Sequence, residues 1–423
     1  MKNKYDLMII GGGPAGMSLA IEAARNDVGS ILLVEANESL GGTLSPYMYD
    51  SFALNNTTEA KVLEDLVTKV AKFTNIEVVV KSYAIELDKD IETGYRCALI
   101  TNKAGCDYTY AKAIVLATGN YEKHNSAISL PGKRVNGIHT SGMAQRYLNN
   151  FQAVMGKKTL IVGSENIGLI TAKKLIEAGV EVVGITESES YLKSTIVDAQ
   201  EYLAELKIPL YQSHIVIGSA GKGNLETVTL AKVDENSEII PNTEKVIEAD
   251  TLFLAVGYLP NNELMVRTKL ELDKNTNSAK VNSIYQTSLS GIFVCGNGLH
   301  VINELDKIMD EAKLVANFVI QYVKDFDISV LQEAKGQEIQ NLPATGIKYI
   351  VPQILDYDTL EDKTKLFIKV KQPVKGAKII IKASGKEIYT TSTMDVSPII
   401  IQEIELDKNL LTNDITDLEF SIE

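Results

Sequence analysis

The sequence predicts an α/β protein with two Rossmann-like dinucleotide-binding domains, the second inserted in the first, and a small C-terminal all-β domain. A glycine-rich fingerprint opens a βαβ unit twice, and after about residue 340 the chain consists of short β-rich runs. A chain of 423 residues is long enough to bury two or three separate cores. We therefore expect a first dinucleotide domain at 1–151 and 283–330, a second at 152–282, and the β domain at 340–423.

The first βαβ unit lies at the start of the chain. Residues 5–10 are an apolar run, GGGPAG follows at 11–16, and after a helical pattern the run ILLVE ends at Glu35. A strand, a glycine turn, a helix and a second strand that ends in an acid form the fingerprint of a dinucleotide site. The phosphates would lie at the helix N-terminus, where free N–H groups and the helix dipole favour negative charge.

Each fingerprint glycine has a separate role in such a site. The first permits the tight turn, the second lets the backbone approach a pyrophosphate, and the third lets helix and strand pack closely. Glu35 would accept hydrogen bonds from the adenosine ribose, and later glycine turns would reach the ribose and the ribityl chain of a flavin nucleotide. We therefore predict that FAD is bound by Gly11, Gly13, Pro14, Ala15, Gly16, Glu35, Gly42, Thr43, Thr118, Gly119, Gly296 and Asn297.

The second βαβ unit repeats the spacing of the first. The run TLIVGSENIG at 159–168 precedes a helical pattern and a strand that ends at Glu187, and in both units the acid lies 24 residues after the first glycine, 11 to 35 and 163 to 187. The residues predicted to bind a nicotinamide dinucleotide are Gly163, Asn166, Ile167, Gly168 and Glu187. Glu187 favours NAD(H) over NADP(H), because an acid repels a 2'-phosphate.

Glu165 stands where the second fingerprint should have its middle glycine. A carboxylate about 4 Å from a phosphate opposes binding by roughly 4 kcal/mol at an effective dielectric constant of 20, about a thousandfold in affinity. Two alternatives follow. Either Glu165 turns outward and NAD(H) binds, or Glu165 closes the nicotinamide site.

The chain resembles the pyridine nucleotide-disulfide oxidoreductase superfamily over about 1–325. More narrowly, the runs SGMAQRYLN, GSENIGLITAKKL, GIFVCGNGLHV and GIKYIVPQ resemble FAD/NAD(P) oxidoreductases found beside anaerobic glycerol-3-phosphate dehydrogenase-like proteins, which include opine and amine dehydrogenase subunits. This resemblance implies FAD, a nicotinamide donor or acceptor, and two partners: a second flavoprotein dehydrogenase subunit and a small cysteine-rich protein. The chain departs from these relatives at 45–49, where SPYMY replaces a stretch with cysteine and histidine.

Candidate catalytic groups are few. His300 follows the Gly296 turn and matches a histidine of the resembled family, so it could hydrogen-bond the flavin or donate a proton, and His139 lies where the chain crosses between domains. A structural role is the alternative for both. The three cysteines form no CxxC pair, so we expect no redox dithiol, no disulfide framework and no metal site. Hydride transfer between a nicotinamide and a flavin depends on the position of the nicotinamide against the flavin ring more than on a catalytic acid or base.

Composition narrows the class of protein further. The formal charge is −13 without a basic cluster, so we expect no nucleic-acid partner. No apolar run is long enough to span a membrane, and a core strand begins within five residues of the start, so we expect a cytoplasmic protein without a signal peptide. The β domain could pack on its own chain or make a homo-oligomer.

Two functions remain open at this point. The first is an FAD-dependent oxidoreductase that transfers electrons between NAD(H) and a partner or small-molecule acceptor, as a subunit of a dehydrogenase complex. The second is an FAD-binding relay or scaffold subunit that no longer binds NAD(H). A ferredoxin-coupled or oxygen-reducing flavoprotein would differ from the first only in its electron acceptor.

Overall fold

The structure is a computed structural model that describes residues 3–42, 59–89, 93–196, 198–326 and 337–423. The described chain divides into two compact units. The first unit holds the residues up to Asn120 and those from Pro260 onward, and the second holds Tyr121–Leu259. Within the described residues, the chain passes from the first unit to the second after Asn120 and returns to the first at Pro260.

The first unit is built on a seven-stranded sheet. Its strands are β1 (Lys4–Ile10), β2 (Ile31–Val34), β3 (Ile76–Val79), β4 (Tyr83–Lys89), β5 (Arg96–Asn102), β6 (Gly105–Leu116) and β19 (Ile292–Val294). The order is β3-β2-β1-β6-β5-β4, and β19 also pairs with β6. β3, β2, β1, β6 and β19 run parallel, whereas β5 is antiparallel to β6 and to β4.

Helices cover this sheet, and its central strands are buried on both faces. The helices are α1 (Pro14–Arg25), α2 (Glu59–Ala71) and α7 (Leu305–Lys324), and α1 packs against α7. All four residues of β2 are buried. Parallel strands that are covered on both faces have continuous apolar sequences, which explains why LMII and ILLV show no polar alternation.

The second unit contains a five-stranded parallel sheet with the order β11-β10-β9-β15-β8. Its strands are β8 (Ile138–Thr140), β9 (Lys158–Val162), β10 (Glu181–Glu187), β11 (Leu210–Gln212) and β15 (Thr251–Leu254), and its helices are α3 (Ser141–Phe151), α4 (Asn166–Glu177) and α5 (Ala199–Glu205). A separate antiparallel sheet is formed by β12 (His214–Ala220), β13 (Thr227–Lys232) and β14 (Lys245–Glu248).

The limits of the second unit differ from the sequence-based limits of 152 and 282. The unit begins at Tyr121 because β8 pairs with β15 at the edge of its sheet, and α3 carries the chain from β8 to β9. It ends at Leu259 because Met265 and Leu270 belong to the apolar core of the first unit. The short connecting elements are β7 (Asn120–Glu122), β16 (Tyr258–Pro260), α6 (Glu263–Arg267), β17 (Leu272–Asp273) and β18 (Ser278–Ala279).

The C-terminal β domain belongs to the first unit. Its strands are β20 (Glu338–Pro343), β21 (Ile347–Val351), β22 (Ile354–Asp356), β23 (Lys363–Val370), β24 (Val374–Ala377), β25 (Ile379–Ala383), β26 (Lys386–Thr390), β27 (Met394–Val396), β28 (Gln402–Asp407) and β29 (Asp417–Ile422). It has its own core, while Tyr349, Val351 and Phe367 join the core of the dinucleotide domain. The predicted all-β tail is thus confirmed. No helix among the described residues is long and apolar enough to cross a bilayer.

Candidate functional site

Two of the three glycines in the first fingerprint are required by the chain itself. Gly11 has φ +114°, and a Cβ on it would lie 2.1 Å from the carbonyl oxygen of Ala117. A Cβ on Gly16 would lie 1.9 Å from the carbonyl oxygen of Gly11. Any side chain at either position would collide with backbone, so these glycines fix the turn and bring α1 against β1.

Gly13 differs, because nothing among the described residues requires a glycine there. Its φ of −77° and ψ of −174° suit any residue. Within the described part of the chain, a Cβ on it would meet the Cα of Gly42 alone, at 3.8 Å. The missing side chain therefore leaves open space directly before α1, whose first N–H groups have no partner within the helix. This space and these donors fit the pyrophosphate of a dinucleotide.

Glu35 is held in place by the fingerprint turn. It follows β2, is only 4% exposed, and its Oε2 accepts the N–H of Gly12 at 2.8 Å. Its Oε1 accepts the backbone and side-chain N–H groups of Asn37 at 2.7 and 2.8 Å. A carboxylate can accept about four hydrogen bonds, so three of these sites are used and one remains for a ribose hydroxyl.

Three loops converge on the start of α1. A Cβ on Gly42 would lie 3.0 Å from the Cα of Gly13, and one on Gly296 would lie 2.7 Å from the Cβ of Ala15. A Cβ on Gly298 would lie 3.0 Å from Oγ1 of Thr118. The structure thus brings together the predicted FAD residues near 13, 42, 118 and 296. Thr43 and the run at 45–49 lie outside the described residues.

The N-terminus of α7 contains an acid that the sequence analysis did not single out. Glu304 is the N-cap residue of this helix, and its Oε2 is buried without a hydrogen-bond partner among the described residues. Asp306 lies in the first turn. The positive end of a helix dipole stabilises negative charge, and two carboxylates at this end reduce that positive potential. The sequence signal was visible as NELD at 303–306.

His300 lies in the core and has 0% exposure. Its Nε2 is 2.5 Å from Oε2 of Glu311, whose Oε1 accepts the N–H of Gly296 at 2.7 Å. The ring also contacts the rings of Tyr349 and Phe367 in the β domain. This position does not favour a proton donor to a ligand. It favours a positioning role, in which His300 and Glu311 hold the Gly296 turn against the β domain.

His139 lies in β8, where it pairs with Phe253, and it is half-buried. Burial lowers the pKa of this histidine, so the ring is neutral at pH 7. Glu122 lies at the N-terminus of α3, where its Oε1 accepts the N–H of Gly142 at 2.8 Å. Burial raises the pKa of Glu122, although the Thr140 hydroxyl and the Gly142 N–H partly offset that rise. A catalytic role for His139 stays a prediction.

The second fingerprint repeats the backbone of the first. Gly163 has φ +98°, and a Cβ on it would lie 2.0 Å from the carbonyl oxygen of Ala255. A Cβ on Gly168 would lie 2.7 Å from the carbonyl oxygen of Gly163. The N–H of Ser164 donates to Oε2 of Glu187 at 3.0 Å, as Gly12 donates to Glu35. The turn, helix and terminal acid of a dinucleotide site are therefore all present.

Glu165 occupies the position that corresponds to Gly13. Its φ of −64° and ψ of 161° are ordinary, so the backbone accommodates a side chain there. The Oε1 atom lies 3.0 Å from the point where a Cβ of Gly257 would be, and Nζ of Lys123 lies 3.8 Å from the same point. The carboxylate thus extends from the start of α4 toward the residues that follow β15, at the carboxyl ends of the strands where Rossmann-type sheets bind nucleotides.

A neighbouring segment also uses the polar groups of this fingerprint. Oγ of Ser164 accepts the N–H of Lys193 at 2.8 Å. Oδ1 of Asn166 accepts the Ser194 hydroxyl at 2.7 Å and the N–H of Thr195 at 2.9 Å, and its Nδ2 donates to the Thr195 hydroxyl at 2.7 Å. The side chain of Asn166, predicted to contact a nicotinamide dinucleotide, is therefore engaged by residues 194–195.

Glu187 is likewise satisfied by its own chain. It is 2% exposed, its Oε2 accepts the Ser164 hydroxyl at 2.6 Å, and its Oε1 lies 3.0 Å from Nζ of Lys193. Burial by itself would raise the pKa of Glu187, but the Lys193 ammonium, the Ser164 hydroxyl and the Glu189 N–H more than offset it, and the pKa is lowered. Glu187 is therefore ionised at neutral pH.

None of the three cysteines forms a disulfide. Cys97 and Cys295 are buried and Cys106 is exposed. Burial and the charge of Glu311 raise the pKa of the Cys295 thiol far above its usual range, so this thiol remains protonated. Cys295 is a small core residue directly after β19.

Two Rossmann-type units, one of them with an open space before α1, define the class of FAD- and nicotinamide-dependent oxidoreductases. The sequence profile of the pyridine nucleotide-disulphide oxidoreductases matches residues 5–335. This chain belongs to the pyridine nucleotide-disulphide oxidoreductase family, and the general part of the resemblance inferred from the sequence is confirmed.

The chain is similar to known relatives in sequence and to solved structures in fold. The chain is 27% identical to a ferredoxin–NADP reductase of Streptococcus pyogenes over 338 residues, which cover 76% of this chain and 95% of the relative. It is similar in fold to the thioredoxin reductase of T. acidophilum, with a TM-score of 0.60, 19% identity, and coverage of 76% of this chain and 99% of that one. The thioredoxin reductase of Lactococcus lactis gives a TM-score of 0.61 at 17% identity, with coverage of 76% and 100%.

Proposed function

We propose that this chain binds FAD in its first unit and passes electrons between NAD(H) and an acceptor directly through the flavin. The observation that carries the proposal is Gly13, set before α1, a glycine that neither its backbone conformation nor the packing of the described residues requires. From two other loops, Gly42 approaches Gly13 and Gly296 approaches Ala15. The flavin, when bound, supplies the hydride and electron chemistry.

The residues of this chain would bind and orient that cofactor. The N–H groups that open α1 would donate to the pyrophosphate, and Glu35 would accept from the ribose. Asn297 is half-buried, and its Oδ1 is already used to accept the N–H of Ile302 at 2.8 Å. A contact of Asn297 with the ribityl chain would therefore use its amide N–H groups, where an aspartate could only accept.

The cysteines of this chain support direct transfer of electrons from the flavin to the acceptor. The family is named for disulphide chemistry, but the three cysteines of this chain form no CxxC pair and no disulfide, and two of them are buried. This supports electron transfer without an internal dithiol relay. The relative from Streptococcus pyogenes is named as a reductase of ferredoxin rather than of a disulphide, and this supports an acceptor that takes electrons without a thiol.

A more specific proposal is that this chain is a subunit of a dehydrogenase complex. We infer from the motifs shared with the glycerol-3-phosphate dehydrogenase-like group that the chain works beside a second flavoprotein subunit and a small cysteine-rich protein. Co-expression of the chain with the neighbouring reading frames tests this proposal. We expect one species in size-exclusion chromatography that contains more than one FAD per copy of this chain. A monomeric chain with one FAD would remove the complex and leave the oxidoreductase.

An anaerobic titration of the purified protein with NADH tests the oxidoreductase itself. Oxidised FAD absorbs at about 450 nm, and this band bleaches on reduction. We expect NADH to bleach it and dithionite to complete the reduction. Absence of bound flavin after incubation with FAD would overturn the proposal as a whole. Bleaching by dithionite but not by NADH would overturn only the nicotinamide part.

The second candidate is an electron relay that keeps FAD but no longer binds NAD(H). Glu165 and the hydrogen bonds of Asn166 with 194–195 favour it. The variant Glu165→Gly separates the two candidates, and Glu235→Gln, an exposed acid of the same unit, is the control. If E165G gains NADH bleaching that the natural chain lacks, the relay is correct. If both respond equally, Glu165 is accommodated beside the nucleotide.

A further inference from the structure

One helix of the second unit exposes an apolar stripe. Met143, Tyr147 and Phe151 follow one another at four-residue spacing along α3, and their exposed fractions are 44%, 39% and 62%. Val154 follows just after the helix and is 44% exposed. We name these four residues the α3 face. Side chains four apart lie on one side of a helix, so the α3 face is continuous.

The packing of α3 does not explain this stripe. The opposite side of the helix buries Ala144 and Gln145, and Gln145 donates to the hydroxyl of Thr171 in α4 at 2.9 Å. The rings of Tyr147 and Phe151 lie 5.5 Å apart, edge to face, and so form a preorganised aromatic pair at the surface. Aromatic side chains held rigidly at a surface are typical anchors of protein interfaces.

The sequence segment that contains α3 has a net charge opposite to that of the protein. From Lys123 to Ser164 there are 42 residues with no Asp or Glu and six Lys or Arg. The other 381 residues hold all 55 acidic residues and 36 basic ones. Arg146, on the helix itself, and Lys157, just beyond it, are exposed. The basic residues are spread along the segment, and what distinguishes the segment is its lack of acids.

Among the described residues, several acids from outside this segment contact it, and one of them, Asp250, accepts the N–H groups of Lys157 and Lys158. Glu122 is used at the N-terminus of α3, where it accepts from Gly142. Glu248 pairs with Lys158 at 3.2 Å, at the start of β9. The middle of the α3 face, from Met143 to Phe151, therefore has Arg146 as its charged neighbour on the helix.

We propose that the α3 face is the docking surface for an acidic electron-carrier protein. An apolar centre with aromatic anchors, in a segment that has no acids and exposes Arg146 and Lys157, fits a partner with an apolar patch rimmed by carboxylates. The identity of the partner as an electron carrier rests on the proposed function, because an acceptor that takes electrons from the flavin must dock on this chain. The docking itself does not depend on NAD(H).

A second copy of the chain fits this surface less well. A symmetric dimer places the same patch of both copies in contact, so two acid-free basic segments would face each other and repel. An anionic membrane is also less suitable. Only one basic residue lies on α3, whereas helices that lie on membranes have many Lys or Arg residues on the polar face.

Binding of a recombinant bacterial ferredoxin, as an acidic electron carrier, tests the proposal. Isothermal titration calorimetry with the FAD-loaded full-length chain should give a dissociation constant that rises with salt. The double variant Tyr147→Ser/Phe151→Ser and the variant Arg146→Glu should each weaken binding at least about tenfold, the scale of an interface hot spot. Val246→Ser, an equally exposed apolar residue of β14 at 66%, should change it less than about twofold.

Three results would overturn the proposal. The first is no binding of ferredoxin to the natural chain, or binding that the double variant leaves unchanged. The second is a dimer in sedimentation that the double variant converts to a monomer, which would make the α3 face a contact between copies. The third is binding to phosphatidylserine vesicles that the double variant abolishes while ferredoxin binding persists. NADH bleaching of the flavin is measured on the same samples, so a failure of docking and a failure of the proposed function give different results.

Discussion

The two fingerprints of this chain share a frame and differ at the third position. The frame consists of the first and last glycines, the N–H group of the second residue and the terminal acid. We call the third position the centre. In each, the first glycine has a positive φ and lies against a carbonyl oxygen of a neighbouring strand end, Ala117 in one unit and Ala255 in the other. In each, the second residue donates its N–H to a buried glutamate 24 residues beyond the first glycine. At the third position one unit has Gly13 and the other Glu165. The frame is needed for folding, whereas the centre is free to change with the ligand.

Packing explains why the frame and the centre can separate. A side chain at position 11, 16 or 163 would overlap backbone atoms, so selection for stability alone retains those glycines. A Cβ at position 13 would overlap no atom of the described residues. Packing of the described residues therefore does not explain the glycine at 13, whereas Glu165 shows that the second unit folds with a side chain at the corresponding position.

The largest expected effect comes from placing at position 13 the glutamate that the second unit has at position 165. Gly13→Glu should reduce FAD affinity about a thousandfold, because a carboxylate about 4 Å from a phosphate costs roughly 4 kcal/mol. The ratio of flavin to protein absorbance after incubation with FAD measures it. The space at Gly13 lets the chain fold, so the far-ultraviolet circular dichroism should be unchanged.

Gly13→Ala provides the control for charge. It adds only a Cβ, at 3.8 Å from the nearest atom of the chain. It should lower FAD affinity less than the glutamate does. Retention of stoichiometric FAD by G13E would show that the pyrophosphate does not lie at Gly13, and the comparison between the two centres would fail.

The sequence predicted the frame of both units for a physical reason. Strand, turn, helix and terminal acid depend on local conformation and on apolar runs, and those are visible in the letters of GGGPAG and ILLVE. The same holds for the β tail. The limits of the second unit were less predictable, because β8 has only three residues and joins its sheet through long-range pairing with β15.

The second largest effect concerns the frame itself. Gly16→Ala brings a Cβ to 1.9 Å from a carbonyl oxygen, whereas Gly168→Ala brings one to 2.7 Å from the equivalent oxygen. Both replacements gain about 1 kcal/mol of helix propensity. We expect G16A to destabilise its unit by about 3 kcal/mol and G168A by less than about 1 kcal/mol. Urea unfolding of the two variants measures the difference, and equal losses would contradict the tighter packing of α1.

The roles of single side chains were harder to predict from the sequence than the frame. His300 follows the Gly296 turn in sequence. Nothing in the local sequence indicates that its Nε2 would hydrogen-bond with Glu311, eleven residues later in α7. Burial of the ring by Tyr349 and Phe367 depends on the β domain, which lies far away in sequence. Glu304 was visible, but its place at the N-cap of α7 depends on where that helix begins.

A smaller effect is expected from the acid of the second unit. The lowered pKa of Glu187 means that its ionised form stabilises the folded state at pH values above the unfolded pKa. That contribution is lost as the pH falls through the folded pKa, which lies below 4.5. Glu187→Gln should therefore reduce stability at pH 7 by about 1–3 kcal/mol. The difference from the natural chain should disappear in strongly acidic solution, as measured by urea unfolding at a series of pH values.

The smallest effect concerns the segment that covers the second fingerprint. Asn166→Ala removes the bonds to Ser194 and Thr195, which are partly exposed, so we expect a loss of at most about 1 kcal/mol. Hydrogen exchange should become faster at Thr195, whose N–H donates to Asn166, and remain unchanged at Ser164, whose N–H donates to Glu187. In combination with Glu165→Gly, this variant distinguishes two obstacles to NADH binding, the Glu165 carboxylate and the segment 194–195. If E165G alone gives full bleaching of the flavin, the carboxylate is the obstacle, whereas a response that appears only in the double variant assigns that role to the segment as well.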